Sequence, residues 1–72
     1  MKISEEKLKE TLEELYGYYF KVAKTAASRP EGDDLSYEEI KSLGVIDAIG
    51  AIYLQTFGGE AMTKLWLDNA EK

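Results

Sequence analysis

The chain has 72 residues and a formal net charge of −5, and it contains neither cysteine nor histidine. A chain of this length forms one domain, residues 1–72, whose core is close to the smallest that folds alone. Without those two residue types it can form no disulfide, no thiolate or imidazole metal ligand and no Ser-His or Cys-His nucleophile. We therefore expect no enzyme activity, no metal and no cofactor.

The acidic charge also restricts the partners. Affinity for nucleic acid rests mainly on Lys and Arg side chains that neutralise phosphates, so we expect no nucleic acid. The charge suits a soluble protein, or one that meets a basic surface on a larger protein. The opening residues, MKISEE, lack the apolar core of a signal peptide. These features predict a cytoplasmic protein that does not enter a membrane.

The first predicted helix covers about residues 4–28. Ser4 is its expected N-cap, and acidic residues follow in the first turn, where the helix dipole favours them. Apolar residues then recur every three or four positions, which is the spacing of a bundle helix: Leu8, Leu12, Leu15, Tyr19, Val22 and Ala26. Toward the C-terminal half the apolar arc widens to roughly 200°, more than a helix on one surface needs. We expect some neighbours of this helix to belong to another copy.

Aromatic residues are concentrated in the same helix. Because aromatic side chains are enriched at interface hot spots, they form our candidate interface together with one residue of the last helix. The set is Tyr16, Tyr18, Tyr19, Phe20 and Trp66. The alternative places Tyr16 and Tyr19 in the core, with their hydroxyls at its rim. A further hypothesis is a small-ligand or nucleotide site whose contacts are Tyr18, Lys21, Lys24 and Arg29.

After a loop at residues 28–34, a strong start signal begins the middle of the chain. Ser36 and Glu39 have the spacing of a capping box, and Leu35 and Ile40 that of a hydrophobic staple. We expect this helix to cover residues 36–43 and to end with a left-handed Gly44. Asp47 would then be the N-cap of a separate helix over residues 47–57.

The reason for the predicted break is the Asp47 carboxylate. In one continuous helix it would fall among apolar residues, where burial without a partner is costly; those residues are Ile40, Leu43, Ala51 and Leu54. A continuous helix is the alternative. The segment VIDAIGAIYLQTF is apolar on nearly all sides, which predicts a buried helix. With Asp47 and Gln55 inside it, we expect it to be too short and too interrupted to span a membrane.

The stretch YEEIKSLGVIDAIGAIY resembles a helix-turn-helix in its order of acidic helix, Leu-Gly-Val turn and second helix. Its spacing at the turn is one residue short, and Lys41 stands where a small residue is usual. The second helix has no Arg, Lys or Asn to read bases. We expect a helical hairpin of this general shape that does not bind DNA.

Gly58 and Gly59 separate a last amphipathic helix, about residues 60–70. The sequence thus predicts an all-α bundle of three or four helices. Its predicted function is protein interaction by a small, acidic, self-associating protein of the inhibitor or adaptor type, a homo-oligomer with a dimer favoured. The alternatives are a ligand- or nucleotide-binding oligomer and an engineered helical scaffold with no natural function, since SEEKLKETLEEL is an idealised amphiphile.

Overall fold

The computed structural model describes residues 4–30 and 32–71. They form three helices, α1 (Glu5–Ala27), α2 (Tyr37–Phe57) and α3 (Gly59–Ala70). The described residues contain no strand, which confirms the all-α class, and three helices agree with the predicted number. The expectation about a signal peptide rests partly on residues 1–3, which lie outside the described residues.

The start of α1 follows the predicted capping chemistry. The Ser4 hydroxyl accepts a hydrogen bond of 3.1 Å from the Lys7 amide, and Glu5 and Glu6 occupy the first turn. At the other end the Ser28 hydroxyl donates to the Lys24 carbonyl at 2.9 Å. Both ends therefore have polar partners for backbone groups that the helix leaves unpaired.

The start of α2 is confirmed in atomic detail. The Ser36 hydroxyl accepts from the Glu39 amide at 3.2 Å, and the Glu39 carboxylate accepts from the Ser36 amide at 2.8 Å. These two bonds are the reciprocal pair of a capping box.

The predicted break at Gly44 is wrong, and so are the N-cap at Asp47 and the helical hairpin that depended on it. α2 runs without interruption from Tyr37 to Phe57, and Gly44 does not take a positive φ. The physical reason is the position of Asp47, which is exposed. Its carboxylate stays hydrated in a continuous helix, so a break would relieve no burial cost.

The structure also corrects two expectations about the apolar half of α2. At 21 residues α2 is long and apolar enough to cross a membrane by length and composition, although one such helix is also common in soluble proteins. The expected shortness concerned the segment VIDAIGAIYLQTF alone, whereas α2 continues on its N-terminal side to Tyr37. The expected burial is wrong as well, because only 17% of its most apolar 18-residue window is buried.

The core lies between the three helices at the inner side of α2. Its buried apolar residues are Leu12, Tyr16, Ile49, Tyr53 and Leu65. A single residue, Gly58, joins α2 to α3, and its φ of 95° is one that side chains other than glycine rarely adopt. This turn folds α3 back so that Leu65 reaches the core, while the opposite side of α2 remains uncovered.

Candidate functional site

The most distinctive surface of the molecule is the uncovered side of α2. We define the outer face as Ile40, Leu43, Gly44, Asp47, Ala51 and Leu54, which follow one another at intervals of one, three or four residues along one side of the helix. Ile40, Leu43 and Leu54 are 58%, 49% and 46% exposed. The face is about 21 Å long at the rise of an α-helix. Its large apolar side chains lie toward the two ends, and its one charge, that of Asp47, lies near the centre.

The local sequence explains why this side of α2 faces solvent. The residues of α2 that are buried in the structure, namely Glu39, Ser42, Ile49 and Tyr53, share the other side. The Ser42 hydroxyl donates to the Glu39 carbonyl at 2.6 Å, so this polar side chain is satisfied where it is fully buried. α1 and α3 cover the buried side, and the chain has no further helix among its described residues to cover the other.

The five residues of the predicted aromatic interface differ in their exposure to solvent. Tyr16 is 4% exposed and packs in the core, with its ring centroid 5.5 Å from that of Phe20. Tyr19 and Phe20 are partly buried, whereas Tyr18 and Trp66 are 53% and 49% exposed. Tyr16 therefore offers no surface to a partner. Its position agrees with the alternative prediction, which placed this residue in the core. Tyr18 and Trp66 are the members that remain open to solvent.

Three of the four predicted ligand contacts lie together. Tyr18, Lys21 and Lys24 line an open groove of about 870 Å³ between α1 and α3. Arg29 does not line it. The other charged side chains of the groove are of both signs: Lys9, Glu13, Glu14, Lys64 and Asp68. A groove with this mixture has no strong preference for an anionic ligand.

Lys24 has a structural role within that groove. Its ammonium group donates to the Asn69 carbonyl at 2.6 Å and to the Ala70 carbonyl at 3.2 Å. These carbonyls belong to the last turn of α3, where a cation complements the helix dipole. Lys24 therefore holds the C-terminal end of α3 against α1.

Arg29 also has a partner within the chain. Its Nε donates to the Glu39 carboxylate at 2.7 Å, and Glu39 is 4% exposed. The hydrogen bond from Arg29, followed by that from the Ser36 amide, lowers the pKa of Glu39 to about 2. This carboxylate is therefore ionised at neutral pH and serves to attach the loop to α2.

A second perturbed group lies in the core. Burial, followed by the hydrogen bond that the Tyr53 hydroxyl donates to Glu13 at 2.8 Å, raises the pKa of Tyr53 to about 12. This hydroxyl stays protonated at neutral pH, so it is no proton acceptor there. Across residues 4–30 and 32–71, no three acidic side chains converge in a way that could hold a metal ion.

No family model, curated protein or solved structure matches this chain. The evidence for a site on the outer face of α2 therefore lies in its own residues. The sequence did carry a signal for it, since Ile40, Leu43, Ala51 and Leu54 share one side of a continuous helix. The prediction missed the site because it assumed that such a side must be buried.

Proposed function

We propose that this chain is a non-catalytic protein-interaction module, a small acidic helical protein that self-associates and acts as an inhibitor or adaptor. The observation that supports the proposal is the outer face of α2. Isolated exposed apolar residues are normal on proteins, but a contiguous apolar surface is typical of an interaction site. Helices that bind other helices or grooves do so through apolar residues three, four and seven positions apart. On the preformed helix α2, Ile40 and Leu43 are three positions apart, and Ile40 and Leu54 are separated by two intervals of seven.

The proposal includes a cytoplasmic location without membrane insertion. A membrane-spanning α2 would have to carry Asp47 through the hydrocarbon region, where an ionised side chain is costly. It would also have to carry Lys41, the second charged side chain among residues 40–57. The net charge of −5 further disfavours approach to an anionic bilayer.

The direct test is the mass of the full chain in solution over a wide concentration range, measured by sedimentation equilibrium. We expect a reversible increase toward twice the monomer mass at micromolar concentrations. A protein that stays monomeric up to high micromolar concentration would contradict self-association.

One observation favours a second candidate function, a small-ligand or nucleotide-binding oligomer. Tyr18, Lys21 and Lys24 share the groove between α1 and α3, which has the size of a ligand pocket. Calorimetric titration with ATP tests this candidate. Heat of binding that is lost in Tyr18→Ala, at unchanged oligomer mass, would favour it. The absence of heat with the wild-type chain would remove it for this nucleotide.

A further inference from the structure

We propose that the outer face of α2 binds the same face of a second copy, so that two α2 helices pack against each other across a twofold axis. We further propose that the charge of Asp47 limits the affinity of this pair. The inference rests on the proposed function and deepens it by naming the surface, the partner and the residue that tunes the interaction.

The first argument is the amount of surface. The chain exposes 5443 Å². A compact monomer of 8.1 kDa exposes roughly 4,500 Å² by the relation between surface and mass. The excess is roughly 900 Å², close to the roughly 800 Å² that each partner contributes to a standard interface. One copy therefore has about as much surplus surface as one partner buries in a standard interface.

The shape of the molecule agrees with this surplus. The radius of gyration is 13.5 Å, whereas a compact domain of this length has roughly 11 Å. The smallest dimension is 17 Å, so the three helices form a flat, elongated body. Packing a second copy on the outer face of α2 would give α2 neighbours on both sides.

The distribution of charge favours a second copy over a basic partner. Two chains of net charge −5 repel each other at most surfaces. The outer face carries one acid, Asp47, and its other residues are uncharged. Repulsion between copies is therefore weaker here than at the rest of the surface, and what remains comes from Asp47. A basic partner would need a face rich in carboxylates, and this face has one.

The spacing of the face suits a pair of helices. Ile40, Gly44, Asp47, Ala51 and Leu54 alternate at intervals of four and three, which is the repeat of helices that pack side by side. No atom lies within 4 Å of the position that a Gly44 Cβ would occupy, so this part of the face is open to a neighbour.

The same symmetry places the two Asp47 side chains together. A parallel pair sets each residue of the seam opposite its own copy. In an antiparallel pair centred on the face, the midpoint between Ile40 and Leu54 is again Asp47. Two carboxylates that meet in a partly dehydrated seam repel each other, so removal of this charge strengthens the dimer.

Sedimentation equilibrium of the full chain and of two matched pairs of variants tests the inference. The first pair is Ile40→Gln and Ile52→Gln. Both residues are isoleucines of α2 with similar exposure, 58% and 50%, but they lie about 120° apart around the helix. We expect Ile40→Gln to weaken the dimer roughly 10- to 100-fold, since the lost apolar contact occurs twice, and Ile52→Gln to change it less than about twofold. Leu54→Gln repeats the test at the other end of the face if Ile40→Gln folds poorly by circular dichroism.

The second pair is Asp47→Asn and Asp68→Asn, which remove the same charge from the outer face and from the groove between α1 and α3. We expect roughly tenfold tighter association for Asp47→Asn and less than about a twofold change for Asp68→Asn.

The outcomes separate the inference from the proposed function. A wild-type dimer that is unaffected by both Ile40→Gln and Asp47→Asn would overturn the inference, because another surface would then form the dimer, while the proposed function would stand. A wild-type chain that is monomeric at all concentrations would overturn both. Co-sedimentation of a monomeric chain with phosphatidylcholine vesicles, lost in Ile40→Gln, would assign the face to lipid and would also overturn both.

Discussion

Arg29 donates a hydrogen bond of 2.7 Å to Glu39 and thereby fastens the loop after α1 to the first turn of α2. The second oxygen of the same carboxylate accepts from the Ser36 amide at 2.8 Å. Glu39 thus completes a capping box and an ion pair at once, in a position where it is 4% exposed. The geometry makes this carboxylate the junction between the two longest helices.

Removal of that carboxylate should destabilise the fold. Glu39→Gln keeps the size of the side chain but loses the ion pair and weakens the cap, so we expect a lower melting temperature, by roughly 5 °C for a domain of this size. Thermal unfolding followed by circular dichroism measures the change. Glu10→Gln, at an exposed glutamate of α1, is the matched control. Equal melting temperatures for wild type and Glu39→Gln would contradict the role of the junction.

The same carboxylate predicts a dependence of stability on acid. The pKa of Glu39 is lowered from 4.5 to about 2 by the Arg29 hydrogen bond first and the Ser36 amide second. A depressed pKa contributes stability that is present above pH 4.5 and is lost as the pH falls toward 2. Urea unfolding at a series of pH values should therefore show the gap between wild type and Glu39→Gln closing across this window. Arg29→Met, which removes the main cause, should flatten the dependence; a gap that stays constant down to pH 2 would count against this assignment.

The Tyr53 hydroxyl gives the opposite dependence, at high pH. Its pKa is raised to about 12 by burial and by the bond to Glu13. A group with a raised pKa contributes stability that is present below pH 10 and is lost as the pH rises toward 12. Absorbance titration at the tyrosinate band should show a component near pH 12 that disappears in Tyr53→Phe.

The Tyr53→Phe substitution should also lower the free energy of unfolding by about 1 kcal/mol at neutral pH, the net contribution of one hydrogen bond. Urea unfolding measures it, with Tyr37→Phe as the control because Tyr37 is 79% exposed. A free energy unchanged by Tyr53→Phe would mean that the bond to Glu13 contributes nothing in solution.

Local signals in the sequence predicted the local structure well. Ser4 and the pair of Ser36 and Glu39 marked the starts of α1 and α2, because capping depends on residues within one turn. The contact between Glu13 and Tyr53 could not be predicted in this way, since the residues are 40 positions apart. The sequence left undecided whether Tyr16 lies in the core or at an interface, for a similar reason. A wide apolar arc does not show which part of it contacts a neighbouring helix.

The incorrect prediction of a helix break at Gly44 has a different origin. The rule against a carboxylate in an apolar stripe holds only if the stripe faces the core. In a chain of 72 residues, two further helices cannot cover both sides of a 21-residue apolar helix. The side that holds Asp47 therefore faces solvent. The candidate site is a consequence of the small core that the chain length predicted.

The continuity of α2 can be tested with glycine substitutions. Gly44 is in a regular helix with open space at its Cβ position, so Gly44→Ala should stabilise the monomer by about 0.5–1 kcal/mol. Gly58 has a φ of 95°, where an added side chain is strained, so Gly58→Ala should destabilise it by at least about 1 kcal/mol. Urea unfolding at low protein concentration, where association does not contribute, compares the two. A destabilising Gly44→Ala would instead indicate a left-handed Gly44 and a broken helix, and the outer face would no longer be one surface.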